Sequence, residues 1–265
     1  MATVNATSET VPAWPVVFTL AQRELVRFFR QRNRVFGALG QPIIFWLLFS
    51  AGLGSTKFGD SNRLDYAHFF PGTLVMILLF TAIFATISII EDRREGFLLS
   101  MLVSPAPRTS LVLGKILGSA TLAWLQGLIF LAFAPMAGVR IGIVELVPVA
   151  AAIFLISFTL TGMGFVIAWK MNSSQGFHAI MNLLLVRMWM VSGSLFPMST
   201  AHGLIRALMW ANPLTYSIAL LNHTLRLPNS GPDAGLSVAV TALFGLVLLI
   251  ASGVMASRTE ETSAA

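Results

Sequence analysis

Six stretches of this chain are long and apolar enough to cross a bilayer. They are Val35–Leu53, Gly72–Ile90, Leu111–Ala137, Leu146–Trp169, His178–Phe196 and Leu236–Ala256. Each approaches or exceeds the ~20 residues that a hydrocarbon core demands of a helix. Only 11% of the chain is charged and 56% is hydrophobic, whereas a soluble domain carries about 25% charged residues. Mean hydropathy is +0.80. The chain therefore reads as an all-α integral membrane protein with six transmembrane helices. Gly37, Gly40 and Pro42 in the first run predict a kink or a close helix contact there.

Orientation follows from lysine and arginine. With the N-terminus inside, the inner face holds eleven of them: Arg23, Arg27, Arg30, Arg32, Arg34, Arg93, Arg94, Arg108, Lys115, Lys170 and Arg258. The outer face holds five: Lys57, Arg63, Arg140, Arg206 and Arg226. That bias places both termini in the cytoplasm, in the plasma or inner membrane. The net charge of +6 is spread along the flanks of the apolar runs and forms no separate patch for nucleic acid. The chain has no cysteine, which excludes disulfides, thiolate metal sites and cysteine nucleophiles. Its N-terminus has no signal-peptide pattern, because the first apolar run begins only after an arginine-rich segment.

Residues 1–13 are small and polar and read as a flexible tail. Residues 14–34 read as an amphipathic helix. Phe18, Leu25, Phe29 and Phe36 fall within ~20° of a common direction at ~100° per residue, and Arg23, Arg27, Arg30 and Arg34 lie opposite. A basic stripe opposite an aromatic stripe suits a helix lying in the headgroup layer of an anionic leaflet. Residues 35–256 form the transmembrane domain and 257–265 a cytoplasmic tail.

Between the second and third runs lies EDRREGFLLSMLVSPAPRTSLVLGK, residues 91–115. Glu91 and Glu95 are one turn apart and share a face, while Leu98, Met101 and Leu102 make a short apolar stripe. Pro105 and Pro107 stop that helix, and Thr109 or Ser110 can cap the next. The helix lies at the cytoplasmic face, where a soluble protein can dock. On the opposite face, Leu204–Trp210 and Leu214–Leu221 are apolar but too short to span, and Asn212-Pro213 breaks them. They read as short helices that either re-enter the outer leaflet or lie on its surface.

Two blocks resemble the ABC-2 family of ABC-transporter permeases. The first carries Phe69, Phe70, Pro71 and Gly72, then Glu95, Gly96, Ser104, Pro105, Arg108, Gly114 and Lys115. The second carries Ser192, Gly193, Phe196 and Pro197, then Asn212, Pro213, Leu214, Thr215 and Tyr216. Phe97 stands where the family usually has threonine, and a proline common between the two late elements is missing around His202. The resemblance implies an exporter subunit whose ATP and Mg are bound by a separate ATPase chain, present in two copies. It implies a second permease chain, most simply a homodimer, with the path between the two. It also implies that the ATPase docks on the coupling helix near Glu91, Arg94, Glu95, Gly96, Leu98, Met101, Leu102 and Arg108. The residues agree in one respect: no G-x-x-x-x-G-K-[ST] occurs, so this chain has no P-loop and is not itself the ATPase.

Arg187 lies within the fifth run, where an arginine costs at least ~2.5–3.5 kcal/mol unless something other than lipid surrounds it. His178 and Asn182 are polar on another face of the same run. Arg187, Asn182 and Gln126 are the candidates for lining the path, with Arg187 meeting an anionic group on the cargo. Alternatively Arg187 bonds backbone carbonyls, Gln126 or its symmetry mate. The twelve methionines suit packing better than a metal path, and His68, His202 and His223 lack metal-ligand spacing. No carboxylate sits deep in a run, against a gradient-driven carrier. The only adjacent acidic pair before the tail is Glu91-Asp92, against a prenyltransferase. For cargo, an amphiphilic drug- or lipid-like molecule is the leading expectation, with polysaccharide or lipid-linked glycan the alternative.

Overall fold

The computed structural model describes residues 12–53, 57–58, 62–63, 66–97, 100 and 107–258. Its α-helices are α1 (Ala13–Arg30), α2 (Arg32–Leu53), α3 (Tyr66–Arg94), α4 (Arg108–Leu131), α5 (Ile143–Lys170), α6 (Ser174–Trp189), α7 (Gly203–Ala211), α8 (Pro213–Thr224) and α9 (Ala234–Arg258). Beyond these, a two-residue ladder pairs Lys57 with Arg63 and Phe58 with Asn62. A π-turn follows α6 over Met190–Ser194.

Helix α3 is the axis of the bundle. Of its most apolar window, 94% is buried, against 17% for the equally apolar α9. A long helix apolar all round and enclosed by others needs no polar face, so its sequence is near-continuous Leu, Ile, Val and Phe. Leu74, Val75, Ile77, Leu78, Ile83 and Ile90 are wholly enclosed. Around α3 stand α2, α4, α5 and α6. A ring stack of Phe70 on Phe130, with centroids 4.9 Å apart, and Trp46 set edge-on against both, joins α3, α4 and α2. Helix α9 packs on α5 and α8 and leaves Leu243, Leu246, Val247 and Ile250 exposed, as a lipid-facing helix would.

Helices α3, α4, α5 and α9 are long and apolar enough to span, and the bent pair α7–α8 would make a fifth. The sequence-based layout of six spans is thus met only in part. Helix α2 stands where the first expected span lies. Helix α6, at the fifth, runs 16 residues before the π-turn, short of the ~20 a straight span needs. The third expected span ends early: α4 stops at Leu131 and a 3₁₀ turn covers Ala134–Ala137. Thr109 and Ser110, expected as caps of α4, lie inside its first turn. Pro107 occupies the cap position, and its ring carries no acceptor, so no side chain caps the helix there.

Two ends of the bundle are distinct. At one, the C-terminal ends of α3, α5 and α9 meet the start of α4 and helix α1. At the other, the start of α3 meets the end of α6, where the Trp189 indole N–H donates to the Gly72 carbonyl at 2.7 Å. Arg226 and Glu145 also pair there at 2.9 Å. Helix α1 lies close along α4. A Cβ on Gly118 would stand 2.8 Å from the Ala21 Cα, so only glycine allows this approach. The predicted break at Asn212 is present, and α7 and α8 meet there at 79°.

Candidate functional site

Helix α1 buries Val17, Leu20, Glu24 and Phe28, spaced three and four residues apart on one face. A glutamate in an apolar stripe demands a partner. Glu24 is 3% exposed and accepts from the Lys115 ammonium at 3.0 Å, which reaches in from α4. The same ammonium bonds the Asp92 carboxylate at the end of α3. Asp92 is fully buried and takes two more cations from α1: Arg23 at 2.9 Å and Arg27 at 2.6 Å. Arg27 also reaches Glu91 at 2.9 Å and lies 3.6 Å from Glu95. The Arg23 guanidinium stacks over the Phe97 ring at 3.8 Å. Three cations and the carboxylates of Glu24, Glu91 and Asp92 balance inside one cluster, with Glu95 at its rim. Burial works against the charge on Arg27, but the bond and charge of Asp92 outweigh it and hold its pKa above the ordinary arginine value.

A second set of arginines binds helix ends. Arg93 donates to the carbonyls of Trp169 and Met171 and to the Asn172 side chain, at 2.5, 3.1 and 3.0 Å. Arg94 donates to the Asn172 carbonyl at 2.9 Å, and Arg108 to the Ser257 carbonyl at 3.1 Å. These carbonyls lie at or just past the C-terminal ends of α5 and α9, which are short of donors and carry partial negative charge. One end of the bundle is therefore locked by side chains of α1, α3 and α4.

The residues expected at the docking surface do not act as one group. Glu91 joins the cluster, Arg94 and Arg108 are spent on helix ends, and Glu95 stays largely exposed. Gly96 ends α3 with φ +75°, a left-handed conformation natural to glycine just past a helix. Leu98, Met101 and Leu102 lie outside the described residues. Of the arginines expected at the headgroups, Arg23 and Arg27 face buried carboxylates instead. Arg30 is exposed and makes no ion pair among the described residues, and the Arg34 side chain lies outside them. Phe18, Phe29 and Phe36 do face outward.

The expected path residues do not share one surface. Arg187 and Asn182 are exposed on α6, whereas Gln126 is buried between α4 and α3, accepting from the Thr81 hydroxyl. Arg187 donates to the Leu183 carbonyl one turn back at 2.8 Å. Around it, Ile180, Leu183, Leu184 and Met190 are exposed too. Sequence reasoning passed over Glu24, Asp92 and Lys115 as a unit. The available signal was Glu24 itself, a carboxylate in phase with Val17, Leu20 and Phe28.

Removing one partner from a buried cluster strands the others. Lys115→Met leaves Glu24 with only the longer 3.3 Å contact to Arg23 and Asp92 short of one cation, and should destabilise the folded chain by about 3–5 kcal/mol. Arg30→Met, at an exposed arginine of the same helix, should stay within about 0.5 kcal/mol of wild type. Thermal melting of the purified protein in one detergent compares the two. Similar melting temperatures for both variants would contradict the cluster's role.

Residues 15–225 match the family model described as ABC-2 type transporter. The match takes in the charge cluster, α6 and the Asn212 break, and stops before α9. Among relatives is ycf38 of Cyanophora paradoxa, named by inference as a transport permease. It is 24% identical over 206 residues, 76% of this chain and 71% of its own length. Nodulation protein J of Neorhizobium galegae is 25% identical over 223 residues, 78% of this chain and 79% of its own. The linearmycin resistance permease protein LnrN of Bacillus subtilis is 27% identical over 172 residues, 64% of this chain but 44% of its own length. With its helical bundle and a family match across most of its length, the chain belongs to the ABC-2 type transporter family of membrane permeases.

Proposed function

We propose that this chain is the transmembrane subunit of an ATP-driven exporter, working as a homodimer with two copies of a separate ATPase that binds ATP and Mg. The observation that carries the reading is the exposed face of α6. Arg187 stands there among apolar neighbours, and Asn182 is exposed on another side of the same helix. Facing lipid, Arg187 would cost at least ~2.5–3.5 kcal/mol. Facing a second copy across a path, it meets cargo or water. The charge-locked end lies in the cytoplasm, as the lysine and arginine bias argues. Both termini lie on that side of the plasma membrane, with α2 and α6 completing six spans. The ATPase docks on the segment after α3, with Leu98, Met101 and Leu102 as its apolar knob and Glu91, Glu95 and Arg94 beside it. Asp92 and Lys115 then join the docked segment to α1 and the rest of the bundle.

An amphiphilic, drug- or lipid-like cargo fits best. The likeness to a permease named for linearmycin resistance supports efflux as the direction of transport. Arg187 gives the path a fixed positive charge for an anionic group.

The test is transport by the reconstituted complex of permease and ATPase, with a panel of anionic amphiphiles and a panel of glycolipids. Amphiphiles should stimulate ATP hydrolysis and be exported, Arg187→Lys should retain part of that transport, and Arg187→Leu should lose it with the complex still assembled. Equal transport by wild type and the Leu variant would remove Arg187 from the path. Stimulation by glycolipids alone would assign the glycan cargo. The chain contains no cysteine, so single cysteines at residues 60 and 230 report topology cleanly. Both should react only from outside, and reaction only from the cytoplasm would overturn the orientation.

A further inference from the structure

Helix α6 does not simply stop beyond Arg187. Its last turn opens into the π-turn Met190–Ser194, where Val191 (φ −99°, ψ 29°) and Gly193 (φ 92°, ψ 4°) leave the helical region. Opening a helix this way frees carbonyls that need new donors. The Trp189 carbonyl is served locally, by the Ser192 and Ser194 hydroxyls. The carbonyls of Met188 and Val191 are served from another element. The Asn212 amide donates to them at 2.6 and 3.1 Å.

Asn212 is also the N-cap of α8. Its side-chain oxygen accepts from the Leu214 N–H at 3.1 Å. It is therefore the hinge between α7 and α8 and, through its other half, the attachment of that hinge to the end of α6. Asp, Ser and Thr cap a helix as well as Asn does. None of them can accept at the cap and also offer two N–H donors to a neighbour. Asn212 is 8% exposed, so its bonds are not exchanged freely with water.

The two sides of this joint differ in how firmly they are held. Helix α8 buries Leu214, Ile218, Leu220 and Leu221 in the bundle. Helix α7 buries only Met209, in a small cluster with Met198 and Ala201, and exposes Leu204, Ile205, Leu208 and Trp210. The end of α6 is held on its far side by α3. Trp189 bonds Gly72, and a Cβ on Gly72 would stand 2.7 Å from the Ser194 Cβ, so the two backbones touch. Helix α7 is thus the loosely packed arm, and its root is bonded to the residue following Arg187.

We infer that Asn212 is a positioning residue: its amide N–H pair fixes the α6 turn bearing Arg187 against α7, so that the tilt of α7 and the placement of Arg187 are set together. The inference rests on the reading of the α6 face as a wall of the path.

The test needs no cargo and uses the full chain in lipid. Spin labels are placed on cysteines at Leu184 on α6 and Leu208 on α7, with Leu184 and Leu243 on α9 as the control pair. All three are exposed, and the protein has no cysteine of its own. Asn212→Asp and Asn212→Ser both keep the cap of α8 and remove the N–H pair. Using both separates the loss of donors from the gain of a charge. The fraction of molecules outside the wild-type 184–208 distance should rise about tenfold in each, the factor that one net hydrogen bond is worth. The 184–243 distances should not change. Unchanged 184–208 distances in both variants would overturn the inference. Broadening of both pairs would overturn it too, since Asn212 would then support the fold at large. Failure here leaves the path reading standing, because only transport by the Arg187 variants tests that.

Discussion

A carboxylate with no exposure to water sits at the end of the most buried helix, and much of this protein's architecture follows from it. Asp92 ends the apolar part of α3 and cannot be left bare, since an isolated buried charge costs several kcal/mol. Lys115 from α4 and Arg23 and Arg27 from α1 neutralise it. Those three side chains come from two other helices, so satisfying Asp92 fixes how α1, α3 and α4 meet. Glu24 balances the surplus cation and brings α1 into the core. The small residues Gly114 and Gly118 on α4 allow α1 to come near enough for these bonds to close.

The same economy governs both ends of the bundle. At the charged end, Arg93, Arg94 and Arg108 satisfy carbonyls at the ends of α5 and α9. At the other end, neutral donors satisfy the turn that follows α6 and its contact with α3: Asn212, Ser192, Ser194 and the Trp189 indole. An amide or hydroxyl satisfies a carbonyl at far lower desolvation cost than a charged donor does. Between the ends, packing is almost purely apolar, with α3 enclosed and α9 left for lipid.

Much of this was legible from the residues, because the bilayer imposes length and polarity together. Apolar runs located α3, α4, α5 and α9, and Asn212-Pro213 located the α7–α8 break. On α1, Phe18 and Phe29 face outward and Arg23 and Arg27 face the other way, as the periodicity predicts, although the helix ends at Arg30. What they face was not legible. Periodicity gives a face but not its neighbour, so Arg23 and Arg27 read as headgroup ligands although Asp92 lies across from them. Gln126 and Arg187 looked alike as polar residues in apolar runs, yet one is enclosed against Thr81 and the other exposed. Only the packing of α4 on α3 separates them. The end of α6 was missed because a π-turn has no period of its own, and Val191–Gly193 reads as a continuation of the run. The cap of α4 was misplaced because a proline held the position that Thr109 and Ser110 could chemically have filled.

If the cluster is one electrostatic unit, its members must depend on one another, and a double-mutant cycle on Glu24 and Lys115 measures that dependence directly. Stability is compared for Glu24→Gln, Lys115→Met and the pair together, in the assembled complex. The account predicts strong coupling. The double variant, with both charges of that contact gone, should be more stable than the sum of the single losses implies, by on the order of 1.5 kcal/mol or more. Additive losses, with coupling inside about 0.3–0.5 kcal/mol, would mean that Glu24 and Lys115 act independently. The joining of α1 to α3 and α4 through buried charge would then be contradicted.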